Sequence, residues 1–335
     1  MISSSPSAAG GKKGLAVVLG GLGFMGSHTC RELLARGFAV RIFGRPHSPR
    51  ARIQDIEEQV EVVGGDISQP EEIMNAIEDA STLIHFIHST VPGSSMDDPA
   101  YDVTNNIVSS VKWLRRLRDT DIQKIVYVST GGAVYGLPQS VPLDENHPTN
   151  PICSYGITKL AIEKYVTMYA SMYGVEYRIL RPANVYGVGQ RLDIGQGVIG
   201  VLLDHALRGE ELEIWGTGRT VRDYLYVDDM VDATMKLLEY SGPHRIFNVS
   251  RGEGHSVVEI VEILRNHIGS VPPVVHVPDR GFDVPVNVLD SSRLCRETGW
   301  RAHVGLETGI ARTFEWLRNR QRQEGRNGRI VYSKP

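Results

Sequence analysis

The sequence predicts an α/β protein in which a doubly wound parallel sheet is followed by a smaller, less regular C-terminal region. Short β-branched runs alternate with longer stretches of helical periodicity over about the first 180 residues. A glycine-rich turn joins the first of these runs to the first helical stretch. The chain has 335 residues, 41% hydrophobic and 22% charged, which is typical of a globular protein with one large domain or two coupled domains.

The predicted strands and helices alternate regularly. Six short runs rich in Val, Ile and Leu are predicted to be buried strands, at residues 15–19, 39–43, 60–63, 83–87, 125–129 and 176–180. Helical patterns fill the intervals between them, notably at residues 25–36, 70–77, 101–118 and 154–173. Strand–helix–strand repeats of this kind imply right-handed crossovers and a parallel sheet that is covered on both faces.

The charge balance and the short apolar segments exclude several classes of function. Lys and Arg total 36 against 39 Asp and Glu, so the net charge of −3 gives no overall attraction to nucleic acid or to an anionic membrane. The apolar run at residues 15–19 is far shorter than the roughly 20 residues that span a bilayer. Residues 1–11 lack the apolar core of a signal peptide. We therefore expect a cytoplasmic enzyme that binds neither nucleic acid nor membrane.

The cysteines give no sign of disulfide or metal chemistry. Cys30, Cys153 and Cys295 are far apart, and none belongs to a Cys/His cluster. Each is interpreted as a small buried hydrophobic residue. Cys153 stands out only because it lies two residues before a candidate catalytic tyrosine.

The turn after the first strand has the spacing of a dinucleotide-binding loop, G-x-G-x-x-G, between a predicted strand and a predicted helix. Its glycines allow a tight turn and close approach of the backbone to a pyrophosphate, and the helix N-terminus supplies free N–H groups. The alternative, a glycine-rich loop without a ligand, is disfavoured by the strand before it and the helix after it. The candidate cofactor residues are Gly20, Gly21, Gly23, Phe24, Met25 and Gly26.

The adenosine end of the expected cofactor site departs from the usual NAD pattern. An acid at the end of the second strand would bond the ribose hydroxyls of NAD, but the strand ends in Gly44 and Arg45. Arg45 favours NADP or weak discrimination between the two cofactors, unless it is an ordinary solvated arginine. Asp66, followed by Ile67 after the third strand, is a candidate acceptor for the adenine amino group or, alternatively, a helix cap.

A tyrosine and a lysine are placed to act as a unit at the start of the last predicted helix. Tyr155 and Lys159 are four residues apart and therefore share one helix face. A phenol has a pKa near ~10, and lowering it by about 3 units needs on the order of 4 kcal/mol. A lysine ammonium and an oxidised nicotinamide ring can supply that stabilisation together. The alternative is that the tyrosine and the lysine are an unrelated pair on a helix surface. It is disfavoured because the pair follows the predicted dinucleotide-binding part of the chain.

Several long motifs carry a family resemblance. They are GGLGFMG at 20–26, NNI at 105–107, VSTGGAVYG at 128–136, SYGITK at 154–159, LRPANVYGVGQ at 180–190 and VRDYLYVDD at 221–229. Over roughly residues 14–318 the chain resembles the extended short-chain dehydrogenase/reductase family, in particular the NAD-dependent epimerases and dehydratases that act on nucleotide-sugars. The resemblance implies a Rossmann-like fold.

The resemblance assigns roles to the tyrosine and its neighbours. It makes Tyr155 the base that takes the proton of a sugar hydroxyl while a hydride passes to the nicotinamide. Lys159 would hold the nicotinamide ribose and lower the pKa of the tyrosine, and Asn106 would lie near the nicotinamide. NAD is the cofactor that the resemblance favours, and Arg45 leaves NADP open.

The third catalytic residue of the family has no direct match. Aligning residues 134–136 with the family's VYG places the usual catalytic hydroxyl at Gly131, which has no side chain. Thr130 and Ser129 are the neighbouring hydroxyls, and we expect Thr130, before Ser129, to take the role through a shifted turn. The alternative is that both hydroxyls bond local backbone at the end of a buried strand.

The same loop indicates the reaction type. The family's 4,6-dehydratases carry an Asp and a Glu directly after the hydroxyl residue, and Gly132 and Ala133 stand there instead. The sequence therefore favours a nucleotide-sugar epimerase of the UDP-hexose 4-epimerase type, which needs only reversible hydride transfer and rotation of the sugar. The alternatives are an NADP-dependent nucleotide-sugar or carbonyl reductase, and a non-catalytic dinucleotide-binding regulator suggested by Gly131.

The resemblance also implies a nucleotide-sugar site. Arg222 and Arg280 match the diphosphate-binding positions, since planar guanidinium groups suit phosphates. Asn184 matches an asparagine that meets the phosphates, and Asp283 an acid near the nucleoside ribose. Further nucleotide contacts are expected at Gln196, Val198 and Ile199. No motif places the sugar-facing residues, for which His88, Ser89, Thr90 and Arg191 are candidates.

The expected domain organisation and assembly follow. Residues 1–13 are predicted to be a disordered leader and 14–183 a dinucleotide-binding domain, to which parts of 220–250 return. Residues 184–318 are expected to bind mainly the nucleotide-sugar, and 319–335 to form a polar tail. The family is often dimeric through helices that correspond to 101–118 and 154–173, so a homodimer with an intersubunit four-helix bundle is expected.

Overall fold

The first half of the chain alternates strands and helices, as its hydrophobic pattern predicts. A computed structural model describes residues 13–192, 197–269, 271–279, 281 and 283–326. Its first elements are β1 (Lys13–Leu19), α1 (Phe24–Ala35), β2 (Phe38–Gly44), β3 (Glu61–Gly64), α2 (Pro70–Ala76) and β4 (Thr82–His85). β4 ends two residues earlier than expected, so residues 86 and 87 belong to the loop that follows it.

The segment expected to be one helix over 101–118 is broken into several pieces. It is preceded by α3 (Pro92–Asp97) and contains the end of α4 (Pro99–Asp102), a π-helix at Val103–Val108 and α5 (Ser109–Leu114). The side-chain amides of Asn105 and Asn106 donate to the carbonyl oxygens four residues before them. Side-chain bonds of this kind compete with the regular helical ladder, and π-helical turns are frequent at functional sites.

The rest of the chain alternates strands and helices less regularly. Its middle part forms β5 (Lys124–Val128), α6 (Ser154–Tyr173), β6 (Glu176–Pro182), β7 (Asn184–Tyr186), α7 (Val198–Arg208), β8 (Leu212–Trp215) and β9 (Val221–Tyr226). It continues with α8 (Val227–Glu239), β10 (Ile246–Val249), β11 (Gly254–Ser256), α9 (Val257–Ile268), β12 (Val274–Val277), β13 (Val286–Asn287), α10 (Ser292–Thr298) and α11 (Leu306–Arg326). α11 shows that residues 319–326, expected to lie in a polar tail, are helical.

Seven parallel strands form the main sheet, in the order β10-β6-β5-β4-β1-β2-β3. Apolar side chains project from both faces of this sheet, as in any parallel sheet covered by helices on two sides. From β1, Ala16 and Val18 enter one core cluster, while Val17 and Leu19 enter the other. The doubly wound fold predicted from the sequence is thereby confirmed.

The C-terminal half adds small sheets beside the main one. β11, β9 and β13 form a sheet to which β7 is added through β9, and β8 pairs with β12. A third apolar cluster, with contributions from α7, α9 and α11, lies beneath them. Over the described ranges, no helix combines the length and the apolar character that crossing a bilayer requires.

The order of the main sheet determines where a ligand can bind. The strand order reverses between β1 and β4, and the crevice outside the carboxyl ends of the strands at such a point is the usual ligand site of open α/β sheets. The glycine turn follows β1, Arg45 follows β2, the loop at 86–91 follows β4, and residues 129–132 follow β5. The predicted cofactor and catalytic residues therefore share one edge of the sheet.

Candidate active site

The glycine turn has a shape that only glycine permits. Gly20 has a φ of +89°, a left-handed conformation, and its N–H donates to Phe43 O over 2.8 Å. A Cβ atom on Gly26 would lie 2.3 Å from the carbonyl oxygen of Gly20. Gly23, which precedes α1, provides no side-chain cap for the first N–H groups of the helix. This cradle fits a dinucleotide pyrophosphate, which those N–H groups and the helix dipole would bind.

The ribose end of the cradle carries a cation and lacks the acid of NAD sites. Arg45 is exposed directly after β2, and no ion pair joins it to another described residue. The next carboxylate along the chain, Asp55, is paired with Arg31 at 2.5 Å. Asp66 is exposed and its Oδ1 accepts the N–H of Ser68, so it closes a local turn before α2. Asp55 is therefore engaged by Arg31, and Asp66 belongs to a local turn.

The first turns of α6 bring the candidate base and its lysine together. The backbone N–H of Tyr155 donates to Ser95 Oγ over 3.0 Å, which fixes the start of the helix against α3. Lys159 is buried, and its Nζ donates to Val128 O at the end of β5 over 2.9 Å. This Nζ lies 5.9 Å from the centroid of the Tyr155 ring. Both side chains therefore face the same edge of the sheet, as their spacing predicts.

Burial opposes charge on both of these groups. It raises the pKa of the Tyr155 phenol, and the nearby charge of Asp102 adds to the rise while a hydrogen bond with Thr130 opposes it. Burial also lowers the pKa of Lys159 to about 7, against the charge of Glu163. The expectation that Lys159 makes the phenol acidic is therefore not met by the groups of this chain alone. A buried, desolvated pair is more stable as neutral phenol and amine.

The loop after β5 separates the two candidate hydroxyls. The hydroxyl of Thr130 lies close enough to the Tyr155 phenol to lower its pKa, whereas Ser129 Oγ donates to Glu163 Oε1 inside the protein. Gly131 donates its N–H to Pro182 O over 2.8 Å, and a Cβ atom there would lie 2.3 Å from Leu289 Cδ1. The position to which alignment assigns the hydroxyl thus has no room for a side chain, and the geometry favours Thr130.

A buried ionic network lies under this loop. Arg181 binds Glu163 through two nitrogens, at 3.0 and 2.6 Å, and both side chains are at most 3% exposed. Arg181 also donates to the Tyr135 hydroxyl, which in turn donates to Asn248 Oδ1 over 2.6 Å. The network connects α6, β6 and β10, and it holds Glu163 one turn after Lys159.

Sequence reasoning missed a second buried acid, Asp102 at the end of α4. Its carboxylate is fully buried, and neighbouring donors hold its pKa well below the ordinary value although burial by itself would raise it. The side chains that contact it are Thr90, Asn106, Ser154, Thr158 and His88. Two of these residues flank Tyr155 in the sequence, and that pair of polar residues is the only signal that could have indicated the cluster.

Asn106 belongs to this cluster and is already engaged within the protein. Its side-chain amide donates to Asp102, and its Oδ1 accepts the N–H of Ser89 over 2.8 Å. Asn106 thus holds the loop after β4 in place. It would influence a bound nicotinamide through the position of that loop.

The expected nucleotide-sugar residues are only partly gathered. Arg222 donates to Val284 O over 2.7 Å and lies 3.4 Å from a carboxylate oxygen of Asp283, so these two predicted residues meet. Val198 is half-buried at the start of α7, but the side chain of Ile199 is 1% exposed in the third core cluster and can reach a nucleotide only through its backbone. Gln196 and Arg280 lie outside the described residues.

Asn184 is one of the residues expected to meet the phosphates of the nucleotide-sugar. Asn184 is half-buried in β7, close to Gly132, and so lies beside the loop that carries Thr130.

Among the described residues, no group of three or more His, Cys, Asp or Glu side chains could hold a metal ion. Cys30 and Cys153 are buried, and burial raises the pKa of both thiols.

A glycine cradle at the switch point of a doubly wound sheet, facing a tyrosine and a lysine on one helix, defines an enzyme that uses a nicotinamide dinucleotide. The sequence profile of the NAD dependent epimerase/dehydratase family matches residues 16–250. The chain belongs to that family, and the resemblance inferred from its motifs is confirmed.

Individual relatives cover nearly the whole chain. A putative UDP-glucose 4-epimerase of Methanocaldococcus jannaschii is 34% identical over 310 residues, which are 92% of this chain and 100% of the relative. A dTDP-4-dehydro-6-deoxyglucose reductase of Escherichia coli is 28% identical over 92% of this chain and 98% of the relative. The crystal structure of a UDP-glucose 4-epimerase of Thermotoga maritima with UDP-glucose matches with a TM-score of 0.86 and 32% identity, over 92% of this chain and 99% of that one.

Proposed function

We propose that the protein interconverts the C4 epimers of a UDP-hexose, with NAD bound throughout the reaction. The observation that carries the proposal is the meeting of Tyr155, Lys159 and Thr130 at the edge of the sheet where the glycine cradle lies. The Methanocaldococcus and Thermotoga proteins, which match this chain over most of its length, support the same reaction and substrate class.

The residues of the chain divide the work of proton transfer. NAD held by the glycine cradle would supply a reversible hydride acceptor for the sugar carbon and a positive charge beside it. Tyr155 takes the proton of the C4 hydroxyl and gives it back, and Thr130 hydrogen-bonds both the phenol and that hydroxyl. Lys159 is buried beside the phenol, and in its protonated form, which the charge of Glu163 favours, it would stabilise the phenolate. Gly132 and Ala133 provide no acid or base, so elimination of water is not supported.

The nucleotide end is supported by the contacts of Arg222. Its guanidinium already lies against a carboxylate of Asp283, and a diphosphate would compete for the same donors. We propose that Arg222, Asn184 and Arg280 bind the diphosphate, that Asp283 binds the ribose, and that Gln196, Val198 and the backbone of Ile199 contact the nucleotide.

The direct experiment is to incubate the protein with UDP-glucose, UDP-N-acetylglucosamine and UDP-glucuronate. The proposal expects the C4 epimer of at least one of them to accumulate without net formation of NADH. Turnover by the wild type that Tyr155→Phe abolishes while NAD binding is retained would exclude a non-catalytic dinucleotide-binding regulator. No turnover of any of the three sugars would count against the proposal.

A reductase is the second candidate, and two observations favour it. The Escherichia coli relative is a nucleotide-sugar reductase, and Arg45 stands where an NAD enzyme has an acid. A reductase consumes one reduced nucleotide for each sugar, so net oxidation of NADPH by a 4-keto nucleotide-sugar, with no epimerisation, would support it.

We propose further that the protein is a cytoplasmic homodimer. Apolar side chains that are 40% to 62% exposed lie on the two segments expected to form the interface, namely Tyr101, Val103, Val108, Ile157, Met168 and Met172. Contiguous exposed apolar surface commonly marks protein contacts. A second copy of the chain would cover them by pairing the same helices about a twofold axis.

A further inference from the structure

His88 lies between the buried carboxylate of Asp102 and the ring of the candidate base. The imidazole and the Tyr155 ring meet edge to face, with centroids 4.8 Å apart and planes at 83°. The Nε2 atom of His88 is 3.4 Å from Asp102 Oδ1 and 3.3 Å from Thr158 Oγ1. An edge-to-face contact depends on the orientation of both rings, so whatever orients His88 also bears on Tyr155.

The polar partners of His88 fix its tautomer. An ionised carboxylate only accepts hydrogen bonds, so the proton lies on Nε2 and Nδ1 carries the lone pair. Burial, together with the charge of Lys159, lowers the pKa of His88 to about 4, and the ring is neutral near pH 7. Nδ1 is buried and has no hydrogen-bond partner among the described residues. An unpaired buried acceptor costs free energy, so a histidine here is not the choice that stability alone would favour.

Asp102 connects His88 to the helix that carries Tyr155. Its Oδ2 accepts from Ser154, one residue before the tyrosine, and from Thr158, three residues after it. Its Oδ1 faces the loop after β4, including His88. The carboxylate therefore holds the first turn of α6 and that loop in one arrangement, with the tyrosine ring between them.

We propose that His88, oriented by Asp102, is a positioning residue that holds the ring of Tyr155 in the rotamer needed for proton transfer. The proposal rests on the proposed function, in which Tyr155 is the base. Ser95 fixes the backbone of the tyrosine, and Thr130 lies beside its hydroxyl. The His88 ring meets the Tyr155 ring edge to face and so restricts its rotation, while Lys159 Nζ lies farther away, 5.9 Å from the ring centroid.

The kinetic test uses two variants of His88 and a matched control. His88→Ala removes the ring contact, and we expect kcat to fall on the order of 10-fold to 100-fold with KM changed by less than about twofold. His88→Phe keeps an aromatic ring but loses the bond to Asp102, and kcat should fall less, by about 3-fold to 10-fold. The control is His85→Phe, because His85 is also buried and ends the preceding strand, but its ring neighbours are Trp113 and Tyr127. Its kcat should stay within about twofold of the wild type.

A second measurement does not depend on turnover. In protein labelled with ring-¹³C tyrosine, the NMR signal that disappears in Tyr155→Phe belongs to Tyr155. We expect this signal to shift or broaden in His88→Ala and in His88→Phe, and to remain unchanged in His85→Phe. Thermal midpoints of the three variants show whether any change merely follows loss of stability.

These results separate the positioning role from the proposed function. Unchanged Tyr155 signals in both His88 variants would overturn the positioning role, whether or not a UDP-hexose is epimerised. Wild-type kcat in both variants would overturn it as well. A failure of the wild type to turn over UDP-hexoses, with the Tyr155 signal still perturbed in the His88 variants, would refute the proposed function and leave the contact supported.

Discussion

At the scale of single residues, the site departs from the family pattern at two positions. Gly131 stands where the catalytic hydroxyl is expected, and Arg45 stands where an acid is expected. Gly131 is too crowded for a side chain, so the chain presents the hydroxyl of the preceding residue to the phenol instead. The hydroxyl of Ser129 is turned inward to Glu163. We propose that this one-residue displacement of the hydroxyl lets Thr130 take the catalytic role that the family pattern assigns to position 131.

Substitution of Thr130 tests this displacement. Thr130→Val removes the hydroxyl at nearly constant volume, and we expect kcat to fall about 100-fold because a partner of the phenol is lost. Ser129→Ala is the control, with kcat within about threefold and the free energy of unfolding lower by about 1 kcal/mol, as for one lost hydrogen bond. Kinetics and urea unfolding of both variants provide the measurements. A larger loss of kcat in Ser129→Ala than in Thr130→Val would reverse the assignment.

The positive charge of Arg45 leads to a prediction about which of the two cofactors the protein prefers. Arg45→Asp should weaken binding of NADP by at least about tenfold, because a carboxylate repels the 2′-phosphate, and should leave NAD binding equal or tighter. Titration calorimetry with both nucleotides measures the ratio of their dissociation constants. An unchanged ratio would mean that Arg45 is an ordinary surface residue.

At the scale of secondary-structure elements, α6 is the organising unit. Its first turns carry Tyr155 and Lys159, and its next turn carries Glu163, which anchors the helix to β6 through Arg181. The same helix is tied to the π-helical segment through Asp102. The position of the candidate base thus depends on two buried carboxylates, one on each side of it in the sequence.

Breaking the ion pair on α6 should be costly because it leaves a charge buried without a partner. We expect Arg181→Met to lower the free energy of unfolding by about 3–5 kcal/mol. The double variant Arg181→Met/Glu163→Leu should recover most of that loss, since it buries no charge. Urea unfolding monitored by circular dichroism measures both. If the double variant were as unstable as the single one, the cost would come from packing rather than from charge.

At the scale of the whole molecule, the main sheet supplies the cofactor edge, and β9 and the loop before β13 supply Arg222 and Asp283. β10 crosses back into the main sheet after β9, so the two regions are joined by more than one passage of the chain. The exposed apolar residues lie on the opposite side of α6 from its buried core residues. Assembly through that face would leave the proposed site open.

The proposed homodimer leads to a prediction about the mass of the protein in solution. Light scattering should give about twice the chain mass of 37.1 kDa, and Met168→Lys should shift the protein toward the monomer by placing a charge in the interface. The control is Val258→Lys, because Val258 is also an exposed apolar helical residue but lies on α9. A monomeric wild type would refute the dimer.

The sequence was informative where local rules decide the structure. Periodicity predicted the parallel sheet, and the spacing of Tyr155 and Lys159 predicted their shared face, because both depend on regular geometry. The cluster around Asp102 depends on side chains from three separate segments, which no local pattern brings together. The break in the helix over 101–118 follows from side-chain bonds of Asn105 and Asn106 within that segment, which the apolar periodicity does not reveal. The inward turn of Ser129 likewise follows from Glu163, 34 residues further along the chain.

We propose that Tyr155 is the proton-transferring group of a UDP-hexose epimerase. The most direct measurement is the conversion of UDP-glucose to its C4 epimer by the wild type and by Tyr155→Phe, with NAD binding measured in parallel. We expect conversion without net NADH in the wild type, a loss of kcat of about 100-fold to 10,000-fold in the variant, and equal NAD binding in both. A Tyr155→Phe variant that epimerises UDP-glucose at the wild-type rate would contradict this claim.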